Sequence, residues 1–336
     1  MTRHISTWRS IPYKNNPGLL LGGRKEVVTF VQTAPMIPAS PTPALLSHGP
    51  GGTPRPSSSS ARSFVSYRRS YLAAGASSLA PVSRWWALAL VRLYDITLNT
   101  TYLEIAQLDA DYMYSYWNST CGGGIIWDIP DLSYKNAISN ELFIKLTASL
   151  HNRIPDDTKY LDQALQAWAW FNQSGMINSQ NLINDGLSDN CTNNNDTEWT
   201  YNQGVILGGL TELYAATGDE DLLNTAMKIA DAVVQSAALS PNGILTESCE
   251  VASVGCDSNQ ETFKGIFARN LAELNVLLPD EPYSQYLEAN AQSAWQTDRN
   301  NTDFFGISWA GPLANVSVGT QSSAVSLLIA NIWEKL

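Results

Sequence analysis

In LVRLYDITLNTTYLEIAQLDADYM, Leu90 to Met113, apolar residues return every three or four positions, stop at a short polar turn, and resume with the same spacing. That period marks an amphipathic helix with one face toward a core, here twice over with a turn between. LTASLHNRIPDDTKYLDQALQAWAWF and LTELYAATGDEDLLNTAMKIADAVV repeat it. In each segment the second helix opens on an acidic or hydroxyl residue ahead of Leu103, Leu161 or Leu222, and such residues cap helix N-termini. The three leucines are 58 and 61 residues apart.

A helical hairpin that returns at this period cannot bury its apolar face alone and must stack on its neighbours, as in solenoids and closed helical toroids. FKGIFARNLAELNVLL, YSQYLEANAQSAWQ and SAVSLLIANIWEKL add further amphipathic helices. The expected fold class is therefore all-α, a barrel-like helical toroid. Residues 85 to 336 hold roughly nine helices, short of the twelve that close six hairpins, so the toroid is expected to be incomplete at its N-terminal end.

Charge divides the chain at the same place. Residues 1–84 contain ten Lys/Arg and one acid, Glu26, while residues 85–336 contain ten Lys/Arg and thirty acids. The first part also carries PASPTPALLSHGPGGTPRP and Ser57 to Ser60 without helical or strand periodicity, which reads as a basic, Pro/Ser-rich linker or disordered stretch. A nucleic-acid-binding arm is the sharper alternative, but no basic helix or interleaved aromatics support it, and nucleic acid is not an expected partner. No run of 18 apolar residues spans a membrane, the polar start Met1 to Asn16 has no signal-peptide pattern, and no anchor signal follows Leu336.

The acidic part nonetheless has a secreted character. Cys121, Cys191, Cys249 and Cys256 match no zinc spacing and sit among polar residues, which favours two disulfides. Cys249 and Cys256 enclose a short polar loop suited to a local bridge, leaving Cys121 for Cys191; four cysteines allow three connectivities, and sequence does not choose among them. Seven Asn-x-Ser/Thr sequons begin at Asn99, Asn118, Asn172, Asn190, Asn195, Asn300 and Asn315.

Some chemistries lack their parts. His151 is the only histidine of the helical region, too few for a histidine metal site or a Ser-His-Asp triad, and no phosphate-binding glycine motif is present. Neither metal nor cofactor is expected. In surplus between the helices are Trp, Tyr, Asn, Asp and Gln, which stack on sugar rings and hydrogen-bond hydroxyls. STCGGGIIWDIPDLSYKNAISNELF, Ser119 to Phe143, offers three glycines, Trp127, Lys135, Asn136 and Asn140. MINSQNLINDGLSDNC places Asp185 in a turn, and WTYNQGVILGGLTELY brings Tyr201, Asn202 and Gln203 onto a small-residue helix. For each residue the plain alternative is a cap, a turn or a disulfide-pinned loop.

CGGGIIWD, YKNAISNELF, SGMINSQNLINDGL, WTYNQGVILGGLTELY, GILTESCE and FKGIFARNL, in this order, resemble the fungal members of glycoside hydrolase family 76, the endo-alpha-1,6-mannanases, over residues 85 to 336. The resemblance implies an (α/α)6 barrel and a secreted or cell-wall enzyme. It implies retaining hydrolysis of alpha-1,6-linked mannan or mannoprotein glycan, in a cleft using Trp127, Asn136, Asn140, Asp185, Tyr201, Asn202, Gln203, Lys264 and Arg269. Lys264 and Arg269 have a plainer reading as partners of neighbouring carboxylates.

The family resembled uses two adjacent aspartates just before the Trp-Trp-Ala-Leu-Ala helix, a nucleophile and an acid/base that a retaining mechanism needs about 5 to 5.5 Å apart. Here Trp85 and Trp86 are present, but Pro81 and Val82 stand where the pair is expected. Neither side chain can shuttle a proton or attack an anomeric carbon. Asp156 and Asp157 are adjacent, but in RIPDDTKYLD they occupy a hairpin turn and are expected to cap a helix; Asp128 alone makes no pair. Loss of signal, first helices and aspartates at one seam implies a replaced N-terminal sequence, as from a misassigned exon, a shifted frame or a degraded gene. The expectations are thus an inactive glycosidase by descent, a mannan-binding pseudoenzyme, a transglycosidase relative, or a plain helical scaffold, the last opposed by the polar aromatic loops. An open toroid also exposes apolar helix faces at its seam, which predicts poor solubility.

Overall fold

The computed structural model describes residues 80–127, 133–251, 253 and 255–333. The expectations for residues 1–79 and for Asp128 lie outside these residues, as do the side chains of Pro81 and Val82. Nine long helices are present among them: α1 (Ala80–Thr97), α2 (Thr100–Tyr114), α3 (Ala137–His151), α4 (Lys159–Gln173), α5 (Thr200–Thr217), α6 (Glu220–Gln235), α7 (Phe263–Asn275), α8 (Ser284–Thr297) and α9 (Val318–Trp333). The three hairpins read from the sequence are α1–α2, α3–α4 and α5–α6, and α7–α8 is a fourth. No strand occurs among the described residues, only isolated bridges such as Asn136 with Gly186.

The hairpin turns are fixed by side chains satisfying the first backbone N–H groups of the second helix. Asn99 accepts from the Thr101 N–H at 3.1 Å, one residue ahead of the threonines expected to open α2. Asp219 accepts from the Asp221 N–H at 3.0 Å. At α4 the cap is Asp157, whose carboxylate takes the Tyr160 N–H at 3.1 Å and the Leu161 N–H at 3.3 Å while facing His151 Nδ1 at 3.1 Å. The expected capping role of the Asp156–Asp157 turn is met. α5 stops at Gly218, whose φ of 73° is the left-handed C-cap conformation.

The odd-numbered helices form an inner row and run the same way. Near the C-terminal ends of α1 and α3, Arg153 forks onto Asp95 at 2.7 and 2.9 Å, and Asn152 Nδ2 donates to the Glu212 carbonyl of α5 at 2.8 Å. Near the opposite ends, Tyr201 of α5 stacks flat on Phe263 of α7, ring centroids 3.8 Å apart, and the Gly265 N–H donates to Ser323 Oγ of α9 at 2.8 Å. α5 and α7 approach so closely at Gly204 that a Cβ there would lie 2.5 Å from the Phe267 Cα, so only glycine fits. Between inner and outer rows Phe143, Phe171, Leu207, Leu210 and Phe267 are fully buried.

α9 and α1, the two ends of this row, do not pack against each other as the other inner neighbours do, so the described residues form an open arc of an α/α toroid. No helix among them is long and apolar enough to cross a membrane. Connections differ sharply between the two ends of the arc. Inner helices pass to outer ones through 98–99, 152–158, 218–219 and 276–283, whereas outer helices return through 115–136, 174–199, 236–262 and 298–317. The long returns all gather at the N-terminal ends of the inner helices, and there the candidate residues lie.

Candidate functional site

The first return loop is clamped from three sides. Cys121 is bonded to Cys191, tying it to the second return loop, and Trp170 Nε1 donates to the Cys121 carbonyl at 2.9 Å. Asn140, fully buried on α3, accepts the Ile125 N–H at 2.7 Å and donates to the Ile125 carbonyl at 3.1 Å. Lys135 Nζ, also buried, donates to Asn118 Oδ1 at 2.7 Å and to the Gly124 carbonyl, and burial lowers its pKa to about 8. At Gly124 the Trp170 ring stands where a Cβ would be, 2.4 Å away.

Behind this clamp stands a short chain of polar and aromatic groups. Trp127, 43 % exposed, meets the Tyr134 ring edge-on with centroids 6.0 Å apart. Tyr134 donates its hydroxyl to Asp185 Oδ2 at 2.5 Å and accepts from Asn194 Nδ2 at 3.2 Å. Burial raises the Asp185 carboxyl, the Tyr134 hydrogen bond opposes that, and Asp196 adds to the rise. Burial likewise raises the Tyr201 phenol, and the neighbouring acids Asp185, Glu141 and Glu247 add to the rise. Tyr201 keeps one face against Phe263.

Other expected site residues serve the walls. Asn136 caps α3 by accepting the Ser139 N–H at 3.3 Å. Gln203 exchanges two 2.8 Å hydrogen bonds with the backbone of Ile183, holding the second return loop on α5. Lys264, 2 % exposed, is spent on Glu250 at 2.7 Å, the Ile307 carbonyl at 2.6 Å and the Trp309 ring at 4.6 Å. Its expected pairing with carboxylates is what the structure gives. Arg269 lies farther down α7, beside a cavity shared with Trp85, Lys145 and Glu273, its guanidinium 5.9 Å from the Trp85 ring. Trp127, Asp185 and Tyr201 thus lie around Tyr134 and the start of α5, with Asn136, Asn140 and Gln203 as supports, while Asn202, next to Tyr201 on α5, is fully buried. Lys264 stands in a side wall and Arg269 deeper in the arc.

Three residues beyond those expected belong here. Tyr134 was next to a selected residue, and its hydroxyl is what fixes Asp185. Glu247 caps α5 from a distance, accepting the Thr200 N–H at 3.1 Å and hydroxyl at 2.5 Å, with its carboxyl pushed by burial to about 7. Glu141 lies fully buried on α3, neither carboxylate oxygen hydrogen-bonded among the described residues, and its pKa is raised well above the usual range by burial and then by Asp185. Lys145 stands four residues on along α3, a spacing at which helical ion pairs form. Lys145 instead turns to Asn270 at 2.5 Å and Glu273 at 2.6 Å on α7.

Cys249–Cys256 closes the second bridge, within the third return loop, so both bridges follow the expected pairing. Among the described residues no three His, Cys, Asp or Glu side chains gather as a metal site. What the arrangement can do is stack a flat ring on an exposed indole and offer hydroxyl, carboxylate and amide groups beneath it.

The model of glycosyl hydrolase family 76 matches residues 83–335. The chain is 30% identical over 243 residues to the mannan endo-1,6-alpha-mannosidase DFG5 of Saccharomyces cerevisiae, covering 68% of this chain and 52% of the relative. With the mannan endo-1,6-alpha-mannosidase DCW1 of Candida albicans the identity is 30% over 245 residues, covering 68% and 54%. The chain thus spans about half the length of these curated relatives. Among solved structures, the GH76A alpha-1,6-mannanase from Salegentibacter superposes with a TM-score of 0.69 at 26% identity, over 76% of this chain and 75% of that one. An inactive variant of that enzyme, with two adjacent aspartates changed to asparagine and alpha-1,6-mannotriose bound, superposes with a TM-score of 0.68 at 25% identity over the same shares.

Proposed function

We propose, from the premise that this chain belongs to glycosyl hydrolase family 76, that it is an extracellular protein with the alpha-1,6-mannan cleft of a mannan endo-1,6-alpha-mannosidase, and that the chain as it stands binds this glycan without hydrolysing it. The mannan part of the reading is supported by an exposed Trp127 backed by Tyr134, Asp185 and Tyr201 at the mouth of the arc. Asn136, Asn140, Gln203 and Lys264 hold the walls of this region and Arg269 lies deeper in the arc.

The non-hydrolytic part rests on one observation. Helix α1 begins at Ala80, ahead of Trp85 and Trp86, with Pro81 and Val82 in its first turn. The resemblance puts the aspartate pair there, and the inactive mannanase variant carries two substituted adjacent aspartates. Retaining hydrolysis needs a nucleophile and a proton donor, one on each side of the bond. Two disulfides, and exposed sequon asparagines at Asn172, Asn190, Asn195 and Asn315, support an extracellular place.

Calorimetric binding of alpha-1,6-mannotriose together with a reducing-end assay on alpha-1,6-mannan tests both parts. Saturable binding without new reducing ends is the expected result. Turnover by this chain would refute the non-hydrolytic reading, and absence of binding would refute the mannan reading.

A further inference from the structure

Arg269 is a cation without an ion partner inside the arc. Its half-buried guanidinium makes no hydrogen bond or ion pair among the described residues, and the Trp85 ring of α1 stands 5.9 Å away, the outer limit of a cation–π contact. Burial lowers its pKa to about 10, Glu273 pulling upward and Arg92 downward, so the group is charged at neutral pH. A guanidinium taken out of water carries five N–H donors and a charge that call for an acceptor.

Arg269 faces a cavity walled by four of the inner helices: Trp85 and Arg92 come from α1, Lys145 and Ser149 from α3, Glu212 from α5 and Glu273 from α7. It has room for a few water molecules. The carboxylates on its wall are already matched. Glu273 accepts from Lys145 Nζ at 2.6 Å, and Glu212 pairs at 3.1 Å with Arg153, which also forks onto Asp95. With Arg92 3.5 Å from Asp95, this network sets four cations, Arg92, Lys145, Arg153 and Arg269, against three carboxylates, Asp95, Glu212 and Glu273. Arg269 is the member left over.

The cavity lies well below the mouth. Lys145, Glu212 and Arg269 stand 8, 12 and 6 residues past the first residues of α3, α5 and α7, roughly 9–18 Å along the helix axes. Arg269 is also six residues short of Asn275, the end of α7. The negative dipole end acts within about the last turn, so it does not neutralise this side chain.

We infer that this cavity is a site for one small oxyanion, of phosphate or sulfate size, held by the Arg269 guanidinium with Arg92 and the Ser149 hydroxyl on the same wall. One edge of a guanidinium presents two parallel N–H donors that match two oxygens of such an ion, and a hydroxyl donates to a third. Glu212 and Glu273 do not turn the ion away, because each is neutralised by its own cation. A sugar ring brings no charge to answer Arg269, and a metal cation would meet the surplus positive charge. The site is separate from the mannan cleft and does not depend on that reading.

The test titrates the full chain with sodium phosphate and sodium sulfate by calorimetry and follows its thermal midpoint at constant ionic strength, with sodium chloride as the reference salt. One site is expected for either oxyanion, and at about five times the dissociation constant the midpoint should rise by about 2–4 °C over chloride. Arg269→Met, which keeps the apolar stem and removes the charge, should lose that rise while its midpoint in chloride is unchanged or higher. Arg269→Lys keeps the charge without the fork and should bind about 10-fold more weakly. Wild-type chain that responds to phosphate and sulfate no more than to chloride overturns the inference. So does an Arg269→Met variant that keeps the rise, or one that no longer folds, which would make the guanidinium structural. Arg269→Lys binding as tightly as wild type overturns the forked contact.

Discussion

Tyr134 and Asp185 are joined by a 2.5 Å hydrogen bond between residues 51 positions apart, the phenol from the first return loop and the carboxylate from the second. The bond opposes the upward push of burial on Asp185 and keeps that group an acceptor at the mouth of the arc. Tyr134→Phe should raise the Asp185 pKa further, visible by carboxyl NMR titration. Mannotriose affinity should fall by about 3- to 10-fold, the worth of one hydrogen bond of roughly 0.5–1.5 kcal/mol. An unmoved Asp185 titration would show that Tyr134 does not control it.

Replacing Pro81 and Val82 by aspartate restores the residue types that the resemblance places before the paired tryptophans. The double substitution should bring measurable release of reducing ends from alpha-1,6-mannan, and NMR of the first-formed product should show retained anomeric configuration. Either single substitution should stay inactive, since one carboxylate cannot serve as nucleophile and proton donor in the same step.

The bridges should differ in their contribution to stability. Cys121–Cys191 closes a span of 70 residues and Cys249–Cys256 one of 7. On the chain-entropy model the first stabilises by about 4 kcal/mol and the second by about 2.5 kcal/mol. Denaturant unfolding of Cys121→Ser/Cys191→Ser should therefore show the larger loss. It should also loosen the Gly-rich loop, read as faster hydrogen exchange at Ile125, whose N–H Asn140 holds.

Stability should peak in mildly acidic solution. Burial raises Glu247 from 4.5 to about 7 and Asp298 from 3.8 to about 7, so between those values the folded chain holds protons that the unfolded chain has released. Stability from these groups is lost as pH rises through that window. Glu273 runs the other way. Burial alone would raise it, but Lys145, Arg92 and Arg269 hold it at about 2, so its contribution is present above 4.5 and disappears toward 2. Thermal midpoints across pH 3 to 8 should reach their maximum near pH 4 to 5; a flat profile or a maximum above 7 would contradict this.

The helices were legible because their cause is local. Apolar spacing around Leu103, Leu161 and Leu222 and a polar turn before each suffice to place three hairpins, and Asp157 is a cap by its position alone. At α2 the reading slipped by one residue, since Asn99 and Thr100 are both competent caps and only backbone geometry separates them. The cleft was less legible. Asn140 and Gln203 carry the same amides whether they grip a sugar or a loop, and the backbone of Ile125 and Ile183 that occupies them lies 15 and 20 residues away. Glu141 was hidden for a related reason: the partner that draws Lys145 off, Glu273, is 128 residues farther on.

The one-sided gathering of return loops has an electrical consequence. Five inner helices run the same way, so five positive dipole ends point at the face carrying Trp127, Asp185 and Glu247. Each end is equivalent to roughly half an elementary charge, and together they make a field in which carboxylates can be held without a metal or a lysine beside each one. A mouth of this polarity is prepared for acid pairs whether or not the chain supplies them.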